Sequence, residues 1–227
     1  MGPRDMMGSV ASVVALPGDE VSGVGGRPDD IDLLRAQQYD LLAALLGRAP
    51  DASLLAALAA LKDGDGVLGR QVAALRRAAA ETGSDAVERE YFALFIGVGR
   101  GELLPYASYY LTGFLNERPL ARVREDFAAL GIERSEAMCE PEDHLAILLE
   151  VMAGLAAGRF DAEPGMQARF FARHIEPWAE RFFTDLENAK AGQFYRAVGG
   201  SAAPSSRSRR KPSPWKAEGL RDRDNRD

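Results

Sequence analysis

Apolar side chains recur every three to four residues along most of this sequence, and this spacing constrains the fold more than any other feature. The most apolar stretch places Leu145, Leu148, Leu149, Met152 and Ala156 on one helical face, which must pack against a core. Helices are expected over residues 30–47, 51–62, 68–82, 85–96, 119–131, 141–158, 170–175 and 177–195. Because no segment alternates apolar and polar residues as a half-buried strand does, the sequence predicts an all-α, multi-helix bundle.

The two ends of the chain differ in composition from the middle. Residues 1–28 are rich in glycine, proline and small residues, and residues 200–227 are rich in serine, proline and arginine. We expect a disordered leader, one helical domain over residues 29–199 and a disordered basic tail. The apolar run at residues 10–16 is short and poorly flanked for a signal peptide. No apolar run approaches the roughly 18 residues of a membrane span, so no integral membrane segment is expected.

Charge is distributed unevenly along the chain. The formal net charge is −6, but residues 201–227 carry eight Lys or Arg against four acids, a balance of +4. Residues 1–200 therefore carry twenty basic and thirty acidic side chains, a balance of −10. An acidic body argues against nucleic-acid binding by the folded part and favours a cationic ligand.

The supply of metal ligands and nucleophiles is small. The chain has one cysteine, Cys139, and two histidines, His144 and His174. It can form neither an internal disulfide nor a multi-thiolate metal site, which fits a reducing cytosol. We therefore expect no resident metal or cofactor and no catalytic residues.

Residues 140–144, hereafter the acidic segment, read Glu-Pro-Glu-Asp-His and precede the most apolar helical stripe. Pro141 suits the first position of a helix, and Glu142 and Asp143 would then lie in the first turn, where the helix dipole favours acids. The segment is thus either an ordinary acidic helix start or a functional site that uses Glu140, Asp143 and His144.

A second unusual segment carries Tyr106, Tyr109 and Tyr110 within five residues, close after Pro105. Its proline and its glycine at position 113 make it neither clearly helical nor clearly strand-like. The tyrosines either pack the segment onto the body or line a ligand surface, because tyrosine offers an apolar ring with a polar tip.

Together these segments suggest three functions. An aromatic face of Tyr91, Leu94 and Phe95, the tyrosines and the acidic segment would suit a peptide with a basic head and an apolar stretch. A helical hydrolase using Glu140, Asp143 and His144 is the enzymatic alternative, and a plain helical interaction scaffold is the third.

Four motifs, in order, carry a family resemblance. They are Tyr-Phe-Ala-Leu-Phe-Ile-Gly at 91–97, Leu-Pro-Tyr-Ala-Ser-Tyr-Tyr at 104–110, the acidic segment, and His-Ile-Glu-Pro-Trp at 174–178. They resemble the signatures of the TorD/DmsD family of redox-enzyme maturation chaperones over residues 30–199.

The resemblance implies an all-helical cytoplasmic chaperone. Such a protein binds the twin-arginine signal peptide, or the apo form, of a molybdenum-cofactor oxidoreductase such as formate dehydrogenase, and delays export until the cofactor is loaded. The family's peptide-binding positions fall on Leu94, Phe95, Pro141, Asp143 and His144, with Tyr91 at a position that is usually aromatic. Some family members form dimers by exchanging a helical segment, so the resemblance allows a monomer or a homodimer. The two unusual segments add further aromatic and acidic positions to those that the resemblance implies. The expected peptide site then comprises Tyr91, Leu94, Phe95, Pro105, Tyr106, Tyr110, Glu140, Pro141, Asp143 and His144.

Overall fold

The computed structural model contains ten α-helices in the part of the chain that it describes, and they make up most of that part. It describes residues 14–15, 28–62, 66–134 and 139–202. In chain order the helices are α1 (Asp30–Gly47), α2 (Ala52–Ala59), α3 (Gly66–Glu81), α4 (Ser84–Tyr91), α5 (Ala107–Thr112), α6 (Arg118–Ala129), α7 (Leu145–Ala156), α8 (Met166–His174), α9 (Ala179–Glu187) and α10 (Gln193–Ala202). The all-α prediction is confirmed.

Local capping explains where the first helices begin. The Asp29 carboxylate accepts from the Asp32 amide at 2.7 Å, and the Asp51 carboxylate accepts from the Leu54 amide at 2.8 Å. Both contacts satisfy an amide that a helix start leaves without an intrahelical partner.

The fourth helix changes form before it ends. After α4, residues Phe92–Ile96 form a π-helical turn, which stops at Gly97 with a φ of 64°. A Cβ atom at Gly97 would lie 2.1 Å from the Arg100 carbonyl oxygen, so only glycine fits this tight reversal. π-helical turns are rare and frequently occur at functional sites.

Helix α7 forms the centre of the bundle. Ten of its twelve residues are buried, α1 packs along it, and α8 contacts it from the following segment. Its side chains belong to one hydrophobic cluster that also includes Phe170 from α8, Phe182 from α9 and Phe194 from α10. A helix that is apolar on every side is buried in this way, whereas the sequence indicated only one inward face.

The structure differs from the expected helices in three places. Helix α7 begins at Leu145 rather than at Pro141, so Glu142 and Asp143 are not in its first turn. The tyrosine-rich segment, expected to be neither clearly helical nor clearly strand-like, contains the short helix α5. The expected last helix is divided into α9 and α10, and α10 continues to Ala202.

Two short strands accompany the helices. Strand β1 (Val14–Ala15) pairs antiparallel with β2 (Ile132–Glu133), which follows α6. Residues 14–15 lie inside the leader that was expected to lack structure, and the rest of that leader lies outside the described residues. The tail from residue 203 onward also lies outside them, as do positions 63–65 of the turn between α2 and α3.

No helix in the described part of the chain is both long enough and apolar enough to span a bilayer.

Candidate functional site

The acidic segment and the tyrosine-rich segment lie side by side, joined through their backbones. The Ala107 amide donates to the Asp143 carbonyl at 3.0 Å, and the Leu145 amide donates to the Pro105 carbonyl at 2.8 Å. Tyr106 and His144 thereby form an isolated antiparallel bridge. Two motifs about 35 positions apart thus form one structural unit at the start of α7.

Asp143 fixes the start of α5. Its side chain is completely buried, and Oδ2 accepts from the Ser108 amide at 2.8 Å. Asp143 therefore caps α5 from a distant part of the chain, because Tyr106, directly before α5, makes no side-chain cap. Asp143 Oδ1 and Ser108 Oγ are buried with no hydrogen-bond partner among the described residues. Asp143 is thus shielded from solvent, unlike an ordinary acid at a helix start.

His144 caps α7. Its Nδ1 accepts from the Ala146 amide at 3.1 Å, so the neutral ring carries its proton on Nε2. Burial lowers the pKa of His144 to about 3, which keeps the ring neutral near pH 7. The ring also contacts the Tyr106 ring edge to face, with centroids 5.1 Å apart.

Glu140 and Tyr106 form a second contact between the two segments. The Tyr106 hydroxyl donates to Glu140 Oε2, and both side chains are half-buried. Burial and this hydrogen bond raise the pKa of Tyr106, so the hydroxyl stays protonated. Pro141, between Glu140 and Glu142, is also half-buried, and its carbonyl accepts from the His144 amide at 3.0 Å.

Glu142 anchors the acidic segment to its neighbours. Its carboxylate is buried and lies 2.9 Å from Arg124 of α6 and 3.7 Å from Arg134. Burial opposes ionisation of Glu142, but the hydrogen bond from Arg124 and the nearby positive charges outweigh it and lower the pKa. Glu142 is therefore a structural ion-pair partner, although no sequence motif indicated Arg124.

The aromatic face predicted at Tyr91, Leu94 and Phe95 points largely into the core. Tyr91 and Leu94 are buried, and Phe95 is half-buried. The Tyr91 ring lies 5.1 Å from Phe95 and 5.9 Å from Tyr195, centroid to centroid. Burial raises the pKa of Tyr91, and the negative charge of Glu140 adds a smaller contribution. The Tyr91 hydroxyl is therefore close enough to the acidic segment to feel the charge of Glu140.

Tyr110 lies on the other side of α5. Its hydroxyl donates to Asp185 at 3.0 Å, and its ring packs 5.3 Å from Trp178 and 5.8 Å from Phe182. Tyr110 therefore attaches α5 to α9.

The structure thus brings most of the predicted site residues together, but few face solvent. Buried members are Tyr91, Leu94, Pro105, Asp143 and His144, and half-buried members are Phe95, Tyr106, Tyr110, Glu140 and Pro141. Of the two roles considered for the tyrosines, Tyr110 packs its segment onto the body through Trp178.

Sequence reasoning missed a set of exposed apolar side chains on both sides of α5, which we call the apolar rim. Its members, with exposed fractions, are Phe92 (41%), Ile96 (43%), Val98 (97%), Leu111 (43%), Phe114 (70%) and Leu115 (42%). The guanidinium of Arg100 donates to the Tyr109 hydroxyl at 2.7 Å and thereby joins the loop after the π-helical turn to α5. The available signal was that Phe92 and Ile96 lie off the core-facing stripe of their helix.

Sequence reasoning also missed two carboxylates that fix the C-terminal helices. Glu90 accepts from the amides of Gln193 and Phe194 at 2.9 Å, and Glu102 accepts from the amides of Lys190 and Ala191. Both contacts join residues far apart in sequence, so no local pattern could indicate them.

In the described ranges, no group of three or more His, Cys, Asp or Glu side chains is arranged to hold a metal ion.

Comparison with known proteins connects this geometry to a family. The profile of a family described as the nitrate reductase delta subunit matches residues 62–184, more than half of the chain. The four motifs beginning at Tyr91 and ending at Trp178 all lie within the matched range.

Curated relatives with the name chaperone protein TorD align with part of the chain. The protein from Vibrio cholerae O1 strain O395 is 33% identical over 114 residues, which are 46% of this chain and 52% of the relative. The protein from Aliivibrio fischeri is 33% identical over 117 residues, 47% of this chain and 54% of the relative. The chain thus spans about half the length of these relatives, and 64% of the Vibrio vulnificus protein at 28% identity.

A solved structure shares the fold. A candidate redox enzyme maturation protein from Archaeoglobus fulgidus matches 81% of this chain and 97% of its own chain, with a TM-score of 0.51 and 20% identity. The profile match, the relatives and the ordered motifs agree with one another, and the chain belongs to the TorD/DmsD family of redox-enzyme maturation chaperones.

Proposed function

We propose that this chain is a cytoplasmic chaperone that binds the twin-arginine signal peptide, or the apo form, of a molybdenum-cofactor oxidoreductase before export. The observation that carries the proposal is the exposed apolar rim together with the acidic segment that holds the start of α5. A twin-arginine leader combines an apolar stretch with a basic head. Family membership supports the same function, because the family consists of chaperones and not of catalysts.

The apolar rim supplies the surface for the apolar stretch. Phe92, Val98 and Phe114 are accessible without any change in the fold. Covering one such side chain fully yields roughly 1.5–3 kcal/mol. Several contacts, less the entropy of ordering the peptide, predict micromolar binding.

The buried members of the predicted site have a positioning role in this proposal. Asp143 and His144 hold α5 against the start of α7, and α5 carries Leu111 and leads into Phe114. They affect peptide affinity through the position of the rim, whereas Glu140, which is half-buried, is the acid with access to a basic head.

The side chains that the hydrolase alternative would use take part in structural hydrogen bonds. His144 Nδ1 is engaged by the Ala146 amide, Asp143 Oδ2 by the Ser108 amide, and Glu140 by the Tyr106 hydroxyl. A ring with a pKa of about 3 is also too weak a base for catalysis near pH 7.

The test is a calorimetric titration of the protein with a synthetic twin-arginine leader and with its Lys-Lys counterpart. We expect micromolar binding of the first and at least about tenfold weaker binding of the second, because arginine forms bidentate pairs with carboxylates. Absence of binding to any twin-arginine leader by the wild-type protein would overturn the proposal of peptide binding.

Matched variants locate the surface. Phe114→Ser should weaken binding about tenfold, the equivalent of one large apolar side chain. The control, Ile31→Ser, changes an equally exposed side chain on α1 and should leave affinity unchanged. Equal effects of both variants would remove the rim from the proposed site. A plain scaffold would instead bind a folded partner and not the peptide.

Client and assembly are part of the same proposal. A formate dehydrogenase is one candidate client, and the protein acts as a monomer or as a homodimer formed by segment exchange. Co-purification of tagged protein from its native cell, followed by mass spectrometry and size-exclusion chromatography with light scattering, tests both.

A further inference from the structure

The strand pair joins two parts of the chain that differ in character. Val14 lies opposite Glu133, and Ala15 lies opposite Ile132, in antiparallel register. Strand β2 belongs to the folded body, where Ile132 is buried, while β1 is a two-residue piece of the N-terminal leader. The backbone edge of β2 thus pairs with an extended segment from the N-terminal part of the chain.

We propose that the edge of β2 is a strand-addition site for the first residues of the apolar stretch of a client leader, and that the chain's own residues 14–15 occupy it in the free protein. The proposal rests on the function proposed above and adds a location, an orientation and a competitor. Strand addition suits such a site, because main-chain hydrogen bonds give affinity to an extended peptide without requiring one sequence.

The position of β2 connects this edge to the acidic segment. Arg134 directly follows β2, and its guanidinium lies 3.7 Å from Glu142 Oε2. Around this contact, the four acids Glu133, Glu140, Glu142 and Asp143 outnumber the two cations Arg124 and Arg134. The site is therefore negatively charged next to a free backbone edge.

The antiparallel register gives a bound peptide a direction. Position 14 faces residue 133 and position 15 faces residue 132, so a partner strand that continues toward its own N-terminus passes residue 134. That direction leads past the contact between Arg134 and Glu142 toward the acidic segment, in which Glu140 is accessible to a basic head. In a twin-arginine leader the arginines precede the apolar stretch, so this register brings the basic head to Glu140 while the start of the apolar stretch pairs with β2.

The leader of this chain has a composition suited to the same edge. Residues 10–16 read Val-Ala-Ser-Val-Val-Ala-Leu, with no charge and three valines. β-branched residues favour extended strands. While residues 14–15 occupy the edge, a client leader cannot bind there. The apparent affinity of the leader is therefore multiplied by the fraction of molecules in which the edge is open.

The first experiment measures occupancy without any client. Val14→Pro together with Ala15→Pro removes both amides of β1 in the full chain, and Ser22→Pro with Gly23→Pro is the control elsewhere in the leader. Successive amides of a strand point to opposite edges, so one of the amides of Ile132 and Glu133 donates to β1. Hydrogen exchange at that amide should accelerate about tenfold in the first variant and remain unchanged in the control. Unchanged exchange in both variants would refute the occupancy.

The second experiment measures competition. The twin-arginine leader is titrated into wild type and both variants by fluorescence anisotropy. The Val14→Pro/Ala15→Pro variant should bind about three- to tenfold more tightly than wild type, and the control should match wild type. Equal affinity for all three proteins would leave the proposed function intact and overturn the strand-addition site. Binding to none of them would overturn the proposed function, while the exchange result still decides whether β1 occupies the edge.

The third experiment tests direction. A photo-crosslinking benzophenone is placed at the N-terminal or the C-terminal end of the leader, and crosslinked peptides are mapped by mass spectrometry. The N-terminal probe should label residues 134–144 and the C-terminal probe should not. The opposite pattern would contradict the register.

Discussion

The contact between Asp143 and Ser108 allows a quantitative test of the unit that positions α5. Replacing Asp143 by alanine removes a buried carboxylate that accepts from the Ser108 amide and caps α5. A buried amide left without a partner costs about 1–3 kcal/mol, and loss of a cap typically costs about 1 kcal/mol. These are not additive, because the same amide is counted in both.

A second effect acts in the opposite direction. Asp143 Oδ1 is buried with no partner in the described structure, so removing the carboxylate also relieves a desolvation cost. The net expectation for Asp143→Ala is a loss of about 1–3 kcal/mol in the free energy of unfolding. For a domain of this size, each kcal/mol lowers Tm by about 2–4 °C.

Ser108→Ala is the matched comparison at the same contact. It keeps the amide that Asp143 caps and deletes a buried hydroxyl that has no partner among the described residues. We expect stability within about 0.5 kcal/mol of wild type or an increase of up to about 1 kcal/mol. Urea unfolding followed by circular dichroism measures both variants. The reasoning fails if Asp143→Ala is as stable as wild type, or if Ser108→Ala costs as much as Asp143→Ala.

Three further predictions concern pH and packing. The pKa of His144 is lowered from 6.5 to about 3 in the folded protein, so the unfolded chain binds more protons between these pH values. The free energy of unfolding therefore falls as pH drops below about 6.5, by up to roughly 1.4 kcal/mol per pH unit from this residue. Thermal unfolding should show a weaker dependence of Tm on pH for His144→Asn than for wild type, and the same dependence would contradict the burial of a neutral His144. The hydrogen bond from Arg124 and the nearby positive charges lower the pKa of Glu142, so this ion pair stabilises the fold above about pH 4.5 and ceases to do so at lower pH. Arg124→Gln should therefore lower Tm more at pH 7 than at pH 3 in the same thermal unfolding experiment. A Cβ atom at Gly154 would lie 2.1 Å from the Phe160 ring, so Gly154→Ala should lower the free energy of unfolding in urea by about 1–3 kcal/mol. Gly200 is also helical, but a Cβ atom there would lie 3.4 Å from its nearest neighbour, so Gly200→Ala should not lower it. Equal stability of the two variants would refute this packing argument.

The sequence predicted the helices well where local chemistry determines them. The first two helices were expected to begin at residues 30 and 51, and they begin at Asp30 and Ala52, where Asp29 and Asp51 cap them. The proline-led start of α6 was likewise readable, since Pro119 lies in its first turn. In each case the residue that starts the helix is within a few positions of it.

Prediction failed where a distant side chain performs the same task. Helix α7 starts at Leu145 because His144 caps it and because residues 143–145 pair with Pro105 and Ala107. Helix α5 forms because Asp143, 35 positions later, caps it. Contacts between residues so far apart cannot be recognised from the neighbouring sequence. Glu142 and Asp143 were therefore assigned to the first turn of a helix that in fact begins at Leu145.

The candidate site shows the same division. The motifs indicated that the acidic segment and the tyrosine-rich segment belong together, and the structure places them in contact. Burial could not be read from the motifs, because an aspartate before an apolar helix is normally exposed. The apolar rim was missed for a related reason, since an exposed Phe114 differs from a buried one only through its tertiary contacts.

The carbonyl groups at the end of α1 bear on how the chain folds during synthesis. The last turn of a helix leaves carbonyls without intrahelical partners, and here the hydroxyls of Tyr91 and Tyr195 donate to Leu46 and Leu45. The second of these contacts spans 150 positions. At roughly 5–20 residues per second, a ribosome adds Tyr195 about 8–30 s after Leu45. The C-terminal end of the first helix therefore gains this hydrogen bond only after nearly all of the bundle has been synthesised.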